Sequence, residues 1–176
     1  SKLIIGGFLW SFIVGFLMTA IPKMTGTFSA KRGEVAFAVL LIAMQTALSW
    51  LVDGRPFYVG QMLVVLFVMV FAGRRVLKRT RALPVFFSHM VLAMVLALGG
   101  AAALFQGERV MGIHLFHVGT ILLLILGIGT RFFSFLSGLP SEFEGVAPRQ
   151  QLVFHLLGLL VAAELVLAGA GVRAAY

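Results

Sequence analysis

Six long apolar runs follow one another along the chain, and polar or charged residues gather in the short stretches between them. The runs cover residues 3–21, closed by Pro22, then 35–52, 57–73, 83–105, 112–136 and 152–172. About 20 consecutive apolar residues cross the hydrocarbon core of a bilayer as a helix. Outside a closed barrel, only a helix satisfies its own backbone there. The pattern predicts an all-α fold: a polytopic transmembrane helical bundle of six helices, forming a single transmembrane domain over residues 1–176.

Composition agrees with the pattern. The chain is 61% hydrophobic and 11% charged, with a mean hydropathy of +1.08, against about half apolar in a soluble domain. The formal net charge of +8 does not point to nucleic acid, because the basic residues sit in short loops. Lys23, Lys31, Arg32, Arg74, Arg75, Lys78, Arg79, Arg81 and Arg149, with Arg131 close by, follow the first, third and fifth runs. Lys2, Arg55, Arg109 and Arg173 lie on the other side. By the positive-inside rule the loops after helices 1, 3 and 5 are cytoplasmic, as expected for a multi-pass protein of a bacterial inner (plasma) membrane. Both ends then lie outside. No basic n-region with a cleavage site precedes the first run, so an upstream helix and a longer chain are expected. The basic stretch GRRVLKRTR reads as a topology determinant beside anionic headgroups. There is no cysteine, which excludes thiolate metal sites and disulfides.

Against this background the few intramembrane ionisable groups are functional candidates. His114 and His117 stand three residues apart near the start of the fifth run, where i and i+3 share a helix face. Arg131, fourteen residues after His117, returns to within roughly 40° of it around the axis. His89 lies about two turns into the fourth run and His155 at a similar depth in the sixth. Glu164 comes level with His117. Two constellations follow. The outer one, His114, His117 and Glu164, offers ligands for copper or another divalent metal. The inner one, His89, His155 and Arg131, offers paired imidazoles for a b-type haem and an Arg for a propionate. His155 and Glu164 are nine residues apart and project from opposite faces of one helix. For each histidine, a hydrogen-bonded structural role is the competing reading, and Arg131 can equally anchor a helix end by snorkelling.

The 20 glycines fall largely inside the runs, where small residues let membrane helices approach closely. No Gly-rich phosphate loop, HExxH or nucleophile elbow is present, so no reaction is assigned.

Two stretches resemble the NnrS family of bacterial membrane proteins. GFLWSFIVGFLMTAIPKMTGT is similar to a family helix that ends in a Thr-Ala-Pro turn followed by Thr-Gly, here Thr19, Ala20, Pro22, Thr25 and Gly26. LILGIGTRFFSF is similar to a later helix with a glycine–arginine step, here Gly129 and Arg131. The resemblance covers residues 6 to 140 and implies a haem- and copper-containing protein linked to nitric oxide response or respiratory redox metabolism. Two other classes stay open on the residues alone. One is a non-catalytic accessory subunit packed against a larger membrane complex or another copy of itself. The other is a proton-coupled transporter with Glu164 and the histidines on its path; no internal repeat supports an inverted-repeat architecture.

Overall fold

The computed structural model describes residues 3–51, 54–129 and 148–171. Among the described residues there is no strand, and six helices are long and apolar enough to cross a membrane. They are α1 (Gly7–Thr25), α2 (Arg32–Leu51), α3 (Arg55–Leu77), α4 (Phe87–Phe105), α5 (Arg109–Gly129) and α6 (Pro148–Gly171). The six runs of the sequence and the six helices correspond one to one. Residues 130–136, expected at the end of the fifth span, lie outside the described residues, and Arg131 with them.

The helix ends differ from the apolar pattern for local reasons. α1 does not stop at Pro22 but continues to Thr25. Pro22 removes the one backbone hydrogen bond that would reach the Met18 carbonyl, and the helix continues for most of another turn. Here Thr25 Oγ1 donates to the carbonyl of Ile21 at 2.8 Å. Gly26 then stops the helix in the left-handed region, at φ 65°, with its N–H on the Pro22 carbonyl. α3 runs about one turn past Gly73, where the apolar run ends, to Leu77, and Arg75 has a partner there. α5 is not a uniform α-helix: His114–Gly119 and Ile125–Gly129 are wound as π-helix, a form that occurs mostly as single turns within α-helices and often at functional sites.

The chain divides into two compact units, Ser1–Leu83 and Pro84–Tyr176, each with three of the six membrane-length helices found among the described residues. In the first, α1 buries Trp10, Val14, Leu17 and Ile21, an i, i+4, i+7 stripe. α3 buries Val64, Val65, Val68 and Phe71. α2 and α3 are tied twice. Gln45 donates to Gln61 between fully buried side chains. One helix end carries the Arg75–Glu34 ion pair, 2.8 Å long, with Arg75 1% exposed. The guanidinium lies 3.5 Å over the Phe71 ring, and Phe28 stacks near it at 5.0 Å. Arg75 is thus not a loop charge, as the basic stretch suggested, but a buried latch in the last turn of α3.

The second unit is built on close approach between α4 and α5. Three α5 glycines receive three α4 side chains: Gly127 faces His89, Gly119 faces Leu96 and Gly112 faces Leu104. The reciprocal contact places the backbone of Phe116 against Gly100. The intervals of seven and eight residues in both helices each span about two turns, so one face repeats. Without a hydrophobic force between helices in lipid, such close dispersion contact is what holds them. α6 closes the unit, with Gly158 against His89 and Gly169 against Met111. Outward positions are apolar, including Phe8, Phe12, Leu40, Val70, Leu160 and Leu167, as lipid contact requires.

Candidate functional site

His89 occupies the position in the α4 series that Leu96 and Leu104 occupy further along. The glycine opposite decides this. Its Cβ lies 3.0 Å from where a side chain on Gly127 would begin, so α5 makes a hole for it. On the other flank α6 supplies a second hole: a Cβ on Gly158 would stand 2.7 Å from His89 Nε2. The Phe154 ring covers the imidazole at 4.2 Å between centroids. His89 is 2% exposed, held between two glycines and an aromatic ring contributed by two other helices.

His155 reaches the same place from α6. Its Nδ1 lies 2.7 Å from Ser88 Oγ. The same hydroxyl stands 3.4 Å from His89 Nδ1 and donates to the carbonyl of Val85 at 3.1 Å. Two imidazoles from two helices therefore converge on one serine. The expected grouping of His89 with His155 is met. Arg131, the third residue placed with them from sequence, lies outside the described residues. Ser88 was not anticipated. Its adjacency to His89 is visible in the chain, but its approach to His155, 67 residues away, is a product of packing.

The outer residues are arranged differently. His114 and His117 are both half-buried on α5, beside the buried stripe of Gly112, Leu115, Phe116 and Gly119. The π winding places more residues in each turn than an α-helix does. Three residues then fall further short of a full turn, and the two rings stand further apart around the axis than α geometry implies. His114 Nδ1 lies 2.9 Å from the Val110 carbonyl, which can only accept. This assigns the proton to Nδ1 and leaves Nε2 as a lone pair. His117 sets its ring edge-on to Phe116 at 5.1 Å. Glu164 reaches the expected depth, since its neighbour Leu165 packs at Gly119. Its side chain is nevertheless exposed, on the face of α6 away from that contact. His155 and Glu164 do diverge as their nine-residue spacing requires. Among the described residues, no three of His, Asp or Glu gather as a metal-binding group.

The inner site brings imidazole donors together, but as packed His89 Nε2 abuts Gly158 and both Nδ1 atoms meet one serine, so no space for a flat group lies between the two rings. Two imidazoles, a hydroxyl between them and an apolar surround form the set. The two glycine positions that a Cβ would fill are occupied by His89 itself, between α5 and α6. The outer pair offers a shorter set of two imidazoles.

A family model described as NnrS protein matches residues 2–176, nearly the whole chain. No curated protein and no solved structure matches it.

Proposed function

The chain belongs to the NnrS family, and from that premise we propose that it is an integral membrane protein holding a b-type haem on His89 and His155, in nitric oxide response or respiratory redox metabolism. One observation carries the choice of site: imidazoles from α4 and α6 meet at Ser88, and holding a haem there would require the two rings to part from that serine. A haem held by these residues would supply one-electron chemistry. The protein's own part is to hold the rings. Gly127, Gly158 and Phe154 confine His89, Ser88 orients both, and the apolar packing around Met90 and Ala93 keeps water away. The distribution of Lys and Arg supports cytoplasmic placement, in the bacterial inner membrane, of the loops after α1, α3 and α5.

A second metal, copper, is assigned to His114 and His117, favoured by the Nδ1–H to Val110 bond that leaves the His114 Nε2 free to ligate. Glu164 joins that site only if α6 rotates, since its carboxylate is exposed.

The test is spectroscopic. Protein purified from haem-replete cells is expected to show a Soret band that His89→Ala and His155→Ala each diminish. Absence of the band from the wild type refutes the haem reading, and a stoichiometric partner in the same preparation then favours an accessory subunit. A band untouched by both substitutions moves the haem elsewhere.

A further inference from the structure

At one end of the first unit the protein does not balance its own charge. Lys31 and Arg32 at the start of α2, and Arg74, Lys78 and Arg81 around the end of α3, are all exposed. Among the described residues of this unit the one acid is Glu34. Its two oxygens are taken by the Arg75 guanidinium, at 3.3 and 2.8 Å, and the Lys31 N–H also donates to Oε2 at 2.8 Å. The exposed cations therefore keep no carboxylate of their own.

They stand on a built surface. The segments after α1 and after α3 are far apart in the chain, and Thr80 ties them together. Its N–H donates to the Thr25 carbonyl and its Oγ1 to the Gly26 carbonyl, each at 2.9 Å. Arg81 lies on the same glycine, where a Cβ would stand 2.9 Å from its Cγ. Two residues on, Phe28 is 47% exposed, with Lys31 Nζ 5.4 Å from its ring centre. The buried Arg75 holds the other side of that ring in place, at 5.0 Å.

Beside the cations the surface of α3 turns apolar. Leu63, Leu66, Val70 and Leu77 are exposed, and steps of three, four and seven residues keep them on one helix face. The stripe is about 21 Å long, more than one leaflet of a hydrocarbon core about 30 Å thick. Arg74 and Lys78 flank its end at Leu77. A soluble anion or an acidic protein would use the cations and leave the stripe bare. A molecule with an anionic head and a long apolar chain matches both.

We propose that this end of the first unit is a binding site for an anionic phospholipid. Lys31, Arg74, Lys78 and Arg81 take the headgroup phosphate, and an acyl chain lies along the Leu77-to-Leu63 stripe. Setting topology requires only that basic residues occur in a loop. Retaining one lipid requires that they be held at fixed positions, which is what the Thr80 tie does. Each cation beside an anionic headgroup contributes about fivefold in affinity. The site is independent of any haem.

Native mass spectrometry of the full chain in neutral detergent tests it, by titration with phosphatidylglycerol and, separately, with phosphatidylcholine of the same acyl chains. The wild type is expected to bind a first phosphatidylglycerol about tenfold or more tighter than phosphatidylcholine. Lys31→Gln combined with Arg81→Gln should weaken phosphatidylglycerol about 25-fold and leave phosphatidylcholine unchanged, which also reports an intact fold. Arg109→Gln, which removes an exposed cation at the start of α5, should change neither. Equal wild-type affinity for the two lipids, or full phosphatidylglycerol affinity in the double variant, overturns the proposal.

Thr80→Ala removes the tie without removing charge. A loss of about two- to tenfold is expected, with recovery in Thr80→Ser. Wild-type affinity in Thr80→Ala reduces the effect to diffuse charge and overturns the built site. Glycerol phosphate, a headgroup without chains, should not displace the lipid; displacement at equal concentration makes this a site for soluble phosphate and overturns the lipid assignment.

Discussion

Gly158→Ala tests how His89 is held. The added Cβ would stand 2.7 Å from His89 Nε2 and 2.8 Å from Cε1. A relaxed contact between such atoms is about 3.5 Å, so about 0.8 Å of relief has to be found. His89 has little to give. Its Cβ is seated in the Gly127 hole, and Phe154 covers its ring at 4.2 Å. Either α6 moves outward or the imidazole leaves its rotamer, and overpacking of this kind costs about 1–3 kcal/mol. Charged against haem affinity, that range is roughly five- to 150-fold. Two assays separate the possibilities: haem titration, and unfolding of the detergent-solubilised chain in a denaturant series. Gly99→Ala is the control. It lies on α4, and the nearest atom to its new Cβ, Leu115 Cδ1, is at an ordinary 4.0 Å. Alanine is the better helix former by up to about 1 kcal/mol, so Gly99→Ala should be neutral or stabilising. A Gly158→Ala protein as stable as Gly99→Ala, with unchanged haem affinity, would refute the packing account of His89.

Three other outcomes follow from the same contacts. Gly100→Ala brings a Cβ to 2.7 Å from Phe116 Cβ and 2.8 Å from its Cα; backbone cannot swing aside, so a loss of about 2–3 kcal/mol in unfolding is expected, and stability equal to the adjacent Gly99→Ala would contradict the helix approach described. Glu34→Gln leaves the Arg75 guanidinium, 1% exposed, without its counter-charge and should cost about 3 kcal/mol, whereas Glu34→Leu with Arg75→Met should cost less; a double-mutant cycle measuring no coupling removes the latch. Joint replacement of His114 and His117 by Ala should lower bound copper measured by elemental analysis while leaving the Soret band in place, and unchanged copper would send the search to other ligands.

The inner site shows where reading the chain stops. His89 and His155 were paired from depth alone, counted at a fixed rise per residue from the ends of their apolar runs, and depth is a local quantity. Ser88 was invisible because nothing local distinguishes it. A serine in the first turn of a helix ordinarily bonds its own backbone, as Ser88 does to Val85; its second role exists only once α6 lies alongside. Arg75 was misjudged for the same reason. In the chain it belongs to a run of basic residues, and only the turn that brings Glu34 opposite makes it a buried partner. Glu164 illustrates the converse. Its depth was legible, but its direction depended on how α6 rotates, and α6 turns Gly158 and Gly169 inward and Glu164 outward.

The sequence by itself determined the six membrane-length helices seen among the described residues and the level at which His89, His155 and Glu164 stand. Those properties are sums over consecutive residues: the free energy of burying an apolar run in lipid and the fixed rise of a helix. The tertiary structure decided which way each group points and what it meets. Rotation about a helix axis is set by close packing between helices, here by Gly112, Gly119 and Gly127 receiving Leu104, Leu96 and His89. No single run contains both halves of such a contact, and that contact is what brings two imidazoles to one serine.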